Sequence, residues 1–197
     1  MSGAGPHASP RGEEREEQIL DAAAELFRRR GYSATSLQEV ADRVGLHKST
    51  LYHYFASKDD LLFRIVRDVG AGVDRVADDV AELDVDPLER IAAYLRRLIE
   101  FGAAEPAKAA VFREDLARLS PPRLDQQLAL RRRQCAALAA LIADAPVRPA
   151  LDAVGPDVLA ELLIGAARGM MSYRSEPEPS PEDAGVMVDL LIRAIAA

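Results

Sequence analysis

Apolar residues recur at helical spacing along almost the whole chain. Ile19, Leu20, Ala23, Leu26 and Phe27 fall at i, i+1, i+4, i+7 and i+8, with glutamates crowding the turns before them and Arg28, Arg29 and Arg30 after them. This pattern predicts an amphipathic helix whose charges match its macrodipole and which Gly31 stops. Ser36-Leu-Gln-Glu39 has the form of a capping box, followed on one face by Leu37, Val40, Ala41 and Val44. Gly45-Leu46-His47 then turns the chain into a second short helix, Lys48 to Tyr54, with Leu51 and Phe55 on its inner side and Lys48, Ser49, Tyr52 and His53 facing another way. Two short helices joined by a glycine-containing turn meet the requirement of a helix-turn-helix.

Longer helices follow. Ser57-Lys-Asp-Asp60 opens one that Leu61, Leu62, Ile65, Val66, Val69, Val73 and Val76 carry to about Leu83, weakened in its middle by Gly70 and Gly72. Asp86-Pro87 starts another to about Ala103, and Pro106 opens a segment through Leu119 that Ser120-Pro121-Pro122 stops. A long helix from Leu124 ends before Pro146, one runs from Pro156 to about Arg174, and Ser180-Pro181 begins the last after a proline-rich loop. No alternating β-branched run reads as a strand. The expected fold is therefore all-α, about nine helices. Residues 1–12 form a flexible tail, 13–60 a three-helix domain with the helix-turn-helix at about 37–56, and 61–197 a larger helical domain.

Composition narrows the function. A chain of 197 residues with 49% hydrophobic and 29% charged residues can bury a substantial core. Its single cysteine, Cys135, can form neither an intramolecular disulfide nor a cysteine-based zinc site, and a buried structural thiol is the default reading. There is no apolar leader-like run and no stretch long enough to span a bilayer, so the expectation is a soluble, cytoplasmic protein without a membrane partner. The net charge of −7 argues against nonspecific nucleic-acid binding. Locally the picture differs: no acidic residue lies between Arg43 and Lys58, where Lys48 adds charge and Ser49, Thr50, Tyr52 and His53 add hydrogen-bonding groups. Residues 1–60 as a whole still carry eight basic against ten acidic side chains, so only modest nonspecific affinity is expected.

The run from Thr35 through Gly45 and on through Leu-His-Lys-Ser-Thr-Leu-Tyr-His-Tyr-Phe-Ala-Ser-Lys58-Asp-Asp-Leu-Leu62 closely resembles the TetR family of transcriptional regulators. The resemblance covers roughly residues 13 to 62. It implies a repressor that binds a palindromic DNA operator as a homodimer and is released by a small-molecule effector. It further implies that Thr35 and Ser36 touch phosphates, that Lys48 and Ser49 reach base edges, that Thr50, Tyr52 and His53 mix both kinds of contact, and that Lys58 anchors a phosphate. His47 departs from the small polar residue common at that position, and its role there is left as a groove contact. In the C-terminal domain the resemblance implies an effector pocket, for which Tyr94, Leu98, Phe101, Phe112, Leu116 and Met170 are candidates. It also implies a four-helix dimer interface, for which the candidates are Leu159, Leu162, Leu163, Ala166, Met187, Leu190, Leu191 and Ile195. The helix near residues 58–83 is the expected lever between effector and DNA, with Gly70 and Gly72 making it bendable. Val111-Phe-Arg-Glu and Arg131-Arg-Arg faintly resemble the acyl-CoA-sensing branch of the family.

Other chemistry is not apparent. No catalytic constellation, phosphate loop or metal-spaced cluster stands out, and no cofactor is expected. Arg131, Arg132 and Arg133 read by default as a solvated helix face, and Arg113, Arg168 and Arg174 stay open as anion ligands. Two other classes remain compatible with the residues: a helical carrier or enzyme using the C-terminal pocket, and an interaction adaptor whose helix-turn-helix is purely structural.

Overall fold

Proline placement explains much of how this chain is cut into helices. In the computed structural model, residues 10–172 and 181–197 are described. Among them nine α-helices follow in order: α1 Pro10–Arg30, α2 Leu37–Arg43, α3 Lys48–Tyr54, α4 Lys58–Ala81, α5 Pro87–Ala104, α6 Pro106–Glu114, α7 Pro121–Ala143, α8 Pro156–Ser172 and α9 Pro181–Ile195. Six of these nine begin at a proline, and the other three directly follow Ser36, His47 and Ser57. The described residues contain no strand, only an isolated bridge between Val147 and Ala196. The all-α expectation and the count of nine helices hold.

Three boundaries differ from the sequence pattern, the first being α1, which begins at Pro10 inside the span expected as a flexible tail and buries Gly12. Pro121 and Pro122 open α7 instead of stopping the preceding segment: a first-turn proline gives up an N–H that would have had no helical partner. The Ser120 carbonyl there accepts from the Arg123 and Leu124 amides. The segment expected to run unbroken from Pro106 to Leu119 divides at Asp115, which is buried and accepts a 2.7 Å bond from Arg118 Nε. The chain tightens there into a 3-10 turn, Leu116–Arg118.

The chain divides into two compact units, one formed by the residues up to Val69 with Ala107–Gln127, the other by Gly70–Pro106 with Leu128–Ala197. In the first unit Ile19, Leu20 and Phe27 of α1, Val40 of α2, Leu51 of α3, Phe55, and Leu61, Leu62 and Ile65 of α4 are all but fully buried. Each such side chain contributes about 1.5–3 kcal/mol on burial, which is how a helix as short as α3 is held. Ionic ties supplement this core. The buried Lys108 of α6 pairs with Glu17 and, at 2.8 Å, with Asp21 of α1. Arg123 of α7 reaches Asp59 at 3.0 Å and Asp60 at 2.7 Å in the first turn of α4.

In the second unit α5 packs against both α8 and α9. Ile91, Tyr94 and Leu95 of α5 share one apolar cluster with Val73, Val76 and Val80 of α4, Leu138 and Ile142 of α7, and Leu163 and Ile164 of α8. Gly72 has a packing role here: a Cβ at this position would stand 2.1 Å from Cζ of Phe101. The glycine thus admits an aromatic ring against the α4 backbone.

Candidate nucleic-acid interface

The helix-turn-helix is built by local signals. Ser36 caps α2 reciprocally: its Oγ accepts from the Glu39 amide at 3.2 Å, while the Glu39 carboxylate accepts from the Ser36 amide at 2.8 Å. These bonds hold the Glu39 carboxyl below its ordinary pKa, with the Ser36 backbone bond the largest cause. Gly45 then takes φ +67°, the left-handed conformation that glycine adopts without penalty. His47 precedes α3 in extended conformation and gives no side-chain cap.

This turn presents one face of α3 to solvent. Leu51 is fully buried, while His47, Lys48, Ser49, Tyr52 and His53 are exposed and Thr50 is half-buried. Tyr52 stands out at 47% exposure, and the Lys48 ammonium lies 5.9 Å from its ring centre. An exposed aromatic beside a cation, on a helix with no acidic residue, can stack on and hydrogen-bond to an anionic polymer. A DNA major groove is wide enough to admit one α-helix.

Two other expected contact residues are placed differently. Thr35 is buried at 2% exposure, and its hydroxyl donates to the Gly31 carbonyl at 3.0 Å. Lys58 directs Nζ to the Tyr32 and Thr35 carbonyls, each at 2.9 Å, and lies 4.4 Å over the Tyr32 ring. Both side chains close the loop between α1 and α2, because a chain leaving a helix end needs partners for its carbonyls. Neither presents its polar group toward the face that Lys48 and Tyr52 define. Ser36 remains exposed, its hydroxyl shared within the capping box. Arg43, which with Lys48 and Lys58 supplies the charge of this stretch, lines a surface pocket with Glu25, Leu26, Arg29 and Arg30.

The remaining candidates separate into groups. Tyr94 and Leu98 are buried and Phe101 is half-buried in the second unit, whereas the buried Phe112 and Leu116 belong to the first. The Met170 side chain and Arg174 lie outside the described residues. Of the expected interface residues, Leu159, Leu163 and Ile195 are buried in their own unit's core, and Ala166, Met187 and Leu191 are half-buried. Leu162 and Leu190 are 61% and 58% exposed, joined by Val158 at 51% and Val186 at 61%. These last two lie at i, i+4 spacing to Leu162 and Leu190 within the apolar stripes of α8 and α9. Among the described residues, no helix is long and apolar enough to cross a membrane.

Comparison with known proteins fits this geometry. The family model described as bacterial regulatory proteins, tetR family, matches residues 19–65, and that described as tetracyclin repressor-like, C-terminal domain, matches residues 84–195. The chain belongs to the TetR family. Among curated TetR-family relatives, the transcriptional repressor KstR2 of Mycobacterium tuberculosis is 29% identical over 107 residues, 54% of each chain. The transcriptional activator FasR of Mycolicibacterium smegmatis is 34% identical over 92 residues, 45% of this chain and 41% of its own. The chain thus spans about half the length of the curated relatives it matches. The solved structure of KstR2, a ketosteroid transcriptional regulator, shares the fold at 21% identity, with a TM-score of 0.83 over 98% of both chains. A structure of AibR in complex with isovaleryl coenzyme A and operator DNA is 26% identical, with a TM-score of 0.76 over 90% of this chain and 98% of that one.

Proposed function

We propose that this protein is a sequence-specific DNA-binding transcription regulator that acts as a homodimer on a palindromic operator and is released by a small-molecule effector. The exposed, acid-free face of α3 carries this reading: a protein of net charge −7 keeps one helix with Lys48, Ser49, Tyr52 and His53 outward and no carboxylate among them. Lys48 and Ser49 take base edges, Lys48 most simply a guanine O6 or N7. Thr50, Tyr52, His53 and His47 take a mixture of base and phosphate contacts, and the α2 N-terminus at Ser36 takes a phosphate. Thr35 and Lys58 act behind this surface, holding the loop that sets the angle of α2.

One α3 spans only a few base pairs, so specificity calls for two copies. Val158 and Leu162 on α8, with Val186 and Leu190 on α9, supply a continuous type of surface for a second copy of the chain. Exposed Gly165 and Gly169, with nothing within 4 Å of a Cβ built on either, let a partner helix come close. Domain limits of 13–60 for DNA reading and 61–197 for effector binding and pairing suit these roles, with a cytoplasmic location beside the DNA. Repression is the sign we favour, in line with KstR2, and no enzymatic role is assigned. The effector is a small apolar molecule held in the second unit; an acyl-CoA is the second reading, favoured by the likeness to AibR.

Selection of bound duplexes from a random pool tests the reading, with wild type beside a Lys48→Ala/Tyr52→Ala variant. Enrichment of an inverted repeat by wild type alone is the expected result. Equal enrichment by both proteins, or none by either, would remove α3 as the reading element.

A further inference from the structure

In the second unit, Tyr94 of α5 and Gln134 of α7 bring buried polar atoms into a largely apolar core. Gln134 of α7 is 3% exposed, and its Nε2 donates to the Gly70 carbonyl at 3.0 Å and to Asp74 Oδ1 of α4 at 2.9 Å. These two acceptors fix the amide: turned over, it would set its oxygen against a carbonyl and a carboxylate. Its Oε1 is thereby committed to face elsewhere, and it is buried with no hydrogen-bond partner. Tyr94 of α5 is 1% exposed, and its hydroxyl is likewise buried without a partner. Asp74 connects the two, since it accepts from Gln134 and also acts electrostatically on Tyr94, as does Cys135, the neighbour of Gln134.

Arg168 of α8 feels the like charge of Arg131 of α7 and the opposite charge of Glu161 on its own helix, while Asp74 acts on Tyr94. Burial, with Asp74 and Cys135 adding to it, pushes the Tyr94 phenol up to about 12 against the pull of Arg168. It therefore keeps its proton at neutral pH and can donate. A buried polar atom left unmatched is costly, so a pair of them in an otherwise aliphatic core is a place where a ligand gains by supplying what is missing.

We infer that the Tyr94 hydroxyl and the Gln134 Oε1 form the polar end of an effector site that takes an apolar molecule carrying a hydroxyl group. The chemistry selects among oxygen functions. A hydroxyl accepts from Tyr94 and donates to Gln134 Oε1, satisfying both atoms. A ketone or a carboxylate accepts from Tyr94 but offers Gln134 Oε1 no proton, and for the carboxylate Asp74 works against the pull of Arg168. The body of the ligand is apolar because Tyr94 shares its cluster with Val73, Val76, Leu98 and Leu138. This deepens, and rests on, the proposal that the second unit binds an effector.

The experiment uses the full chain and isothermal titration with borneol and 1-decanol as the alcohols, camphor as the ketone matched to borneol, and decanoate as the acid matched to decanol. Isovaleryl coenzyme A is added as a competitor of different chemistry. Each alcohol is expected to bind about tenfold or more tightly than its matched compound, the factor that about 1.4 kcal/mol of hydrogen bonding supplies. In Tyr94→Phe that preference should shrink to about twofold or less, while the ligand-free variant melts at or above the wild-type temperature because it loses only an unmatched hydroxyl. Failure of both alcohols to bind, binding of the ketone or acid as tightly as the alcohol, or isovaleryl coenzyme A binding alone would overturn the inference. A Tyr94→Phe chain that melts several degrees lower would also do so, by showing that the hydroxyl already has a partner. Operator binding without ligand is measured in parallel. Its loss with the alcohol preference intact would defeat the regulator reading and leave this site standing.

Discussion

The face of α3 and the paired face of α8 and α9 are both exposed, yet they are built in opposite ways. The first sits on a seven-residue helix anchored by Leu51 and shows solvent a cation, hydroxyls, imidazoles and one half-exposed tyrosine. The second sits on helices of 17 and 15 residues and shows solvent Val158, Leu162, Val186 and Leu190. Each departs from the ordinary surface of an acidic protein, the one by lacking carboxylates and the other by keeping aliphatics where water reaches them. A polar face that avoids acids suits a polyanion, whereas an aliphatic face suits a like surface. The contrast teaches that a surface is informative where its chemistry departs from its surroundings, and that the direction of departure points to the kind of partner.

The largest expected effect comes from charging the aliphatic face. Leu162→Glu combined with Leu190→Glu should convert dimer to monomer in sedimentation, and weaken binding to an inverted repeat by about 10²–10⁴-fold through loss of the second half-site. A folded dimer with unaltered DNA binding would detach that face from pairing. Next in size is the difference between two lysines. Lys48→Ala should weaken specific binding by about 1–3 kcal/mol and relax specificity at the base it reads, with stability within about 0.5 kcal/mol of wild type. Lys58→Met should do the reverse, costing about 2 kcal/mol in denaturant unfolding because its carbonyl partners are left unmatched, with little change in specificity or in the salt slope. A salt slope lowered by about 1 in Lys58→Met, with stability unchanged, would return Lys58 to the phosphate-contact role.

Smaller effects concern the frame that holds the exposed face of α3. Ser36→Ala should cost about 1 kcal/mol by removing the α2 cap. Acid should act in the same place. The Glu39 and Glu25 carboxyls are held below their ordinary pKa, by Ser36 and Arg28 respectively, so the folded state binds fewer protons than the unfolded one. Their contribution is complete above about pH 4.3 and fades as pH falls through their depressed values. Circular dichroism during acid titration should show Glu39→Gln with a shallower loss of stability in this window than wild type.

Much of this molecule was legible in its residues, for reasons that differ by region. The capping box at Ser36, the turn at Gly45 and the inward Leu51 are local signals, and a short-range signal survives folding unchanged. The loop-closing bonds of Thr35 and Lys58 were not legible, because their partners are main-chain carbonyls of the preceding loop, which no side-chain pattern displays. Along α8 and α9, periodicity marks an apolar stripe wider than one core contact needs. It could not divide that stripe into Leu159 and Leu163 turned inward and Val158 and Leu162 turned outward. Gly72 was read from propensity alone, and its reason, the ring of Phe101, lies 29 residues along the chain. The Gly70→Ala/Gly72→Ala substitution that a bendable helix would suggest would therefore force Phe101 aside, mixing a packing defect with any change in effector response.

The most direct test of the account joins both faces. It is the affinity of the full chain for its selected inverted repeat, compared with the same duplex after one half-site is scrambled, at two salt concentrations. Two copies of α3 held together by the aliphatic face predict a loss of about two orders of magnitude or more on scrambling, with a salt slope that falls as phosphate contacts are lost. Equal affinity for the two duplexes at both salts would contradict the account, since it would mean that a single copy reads all the sequence the protein recognises.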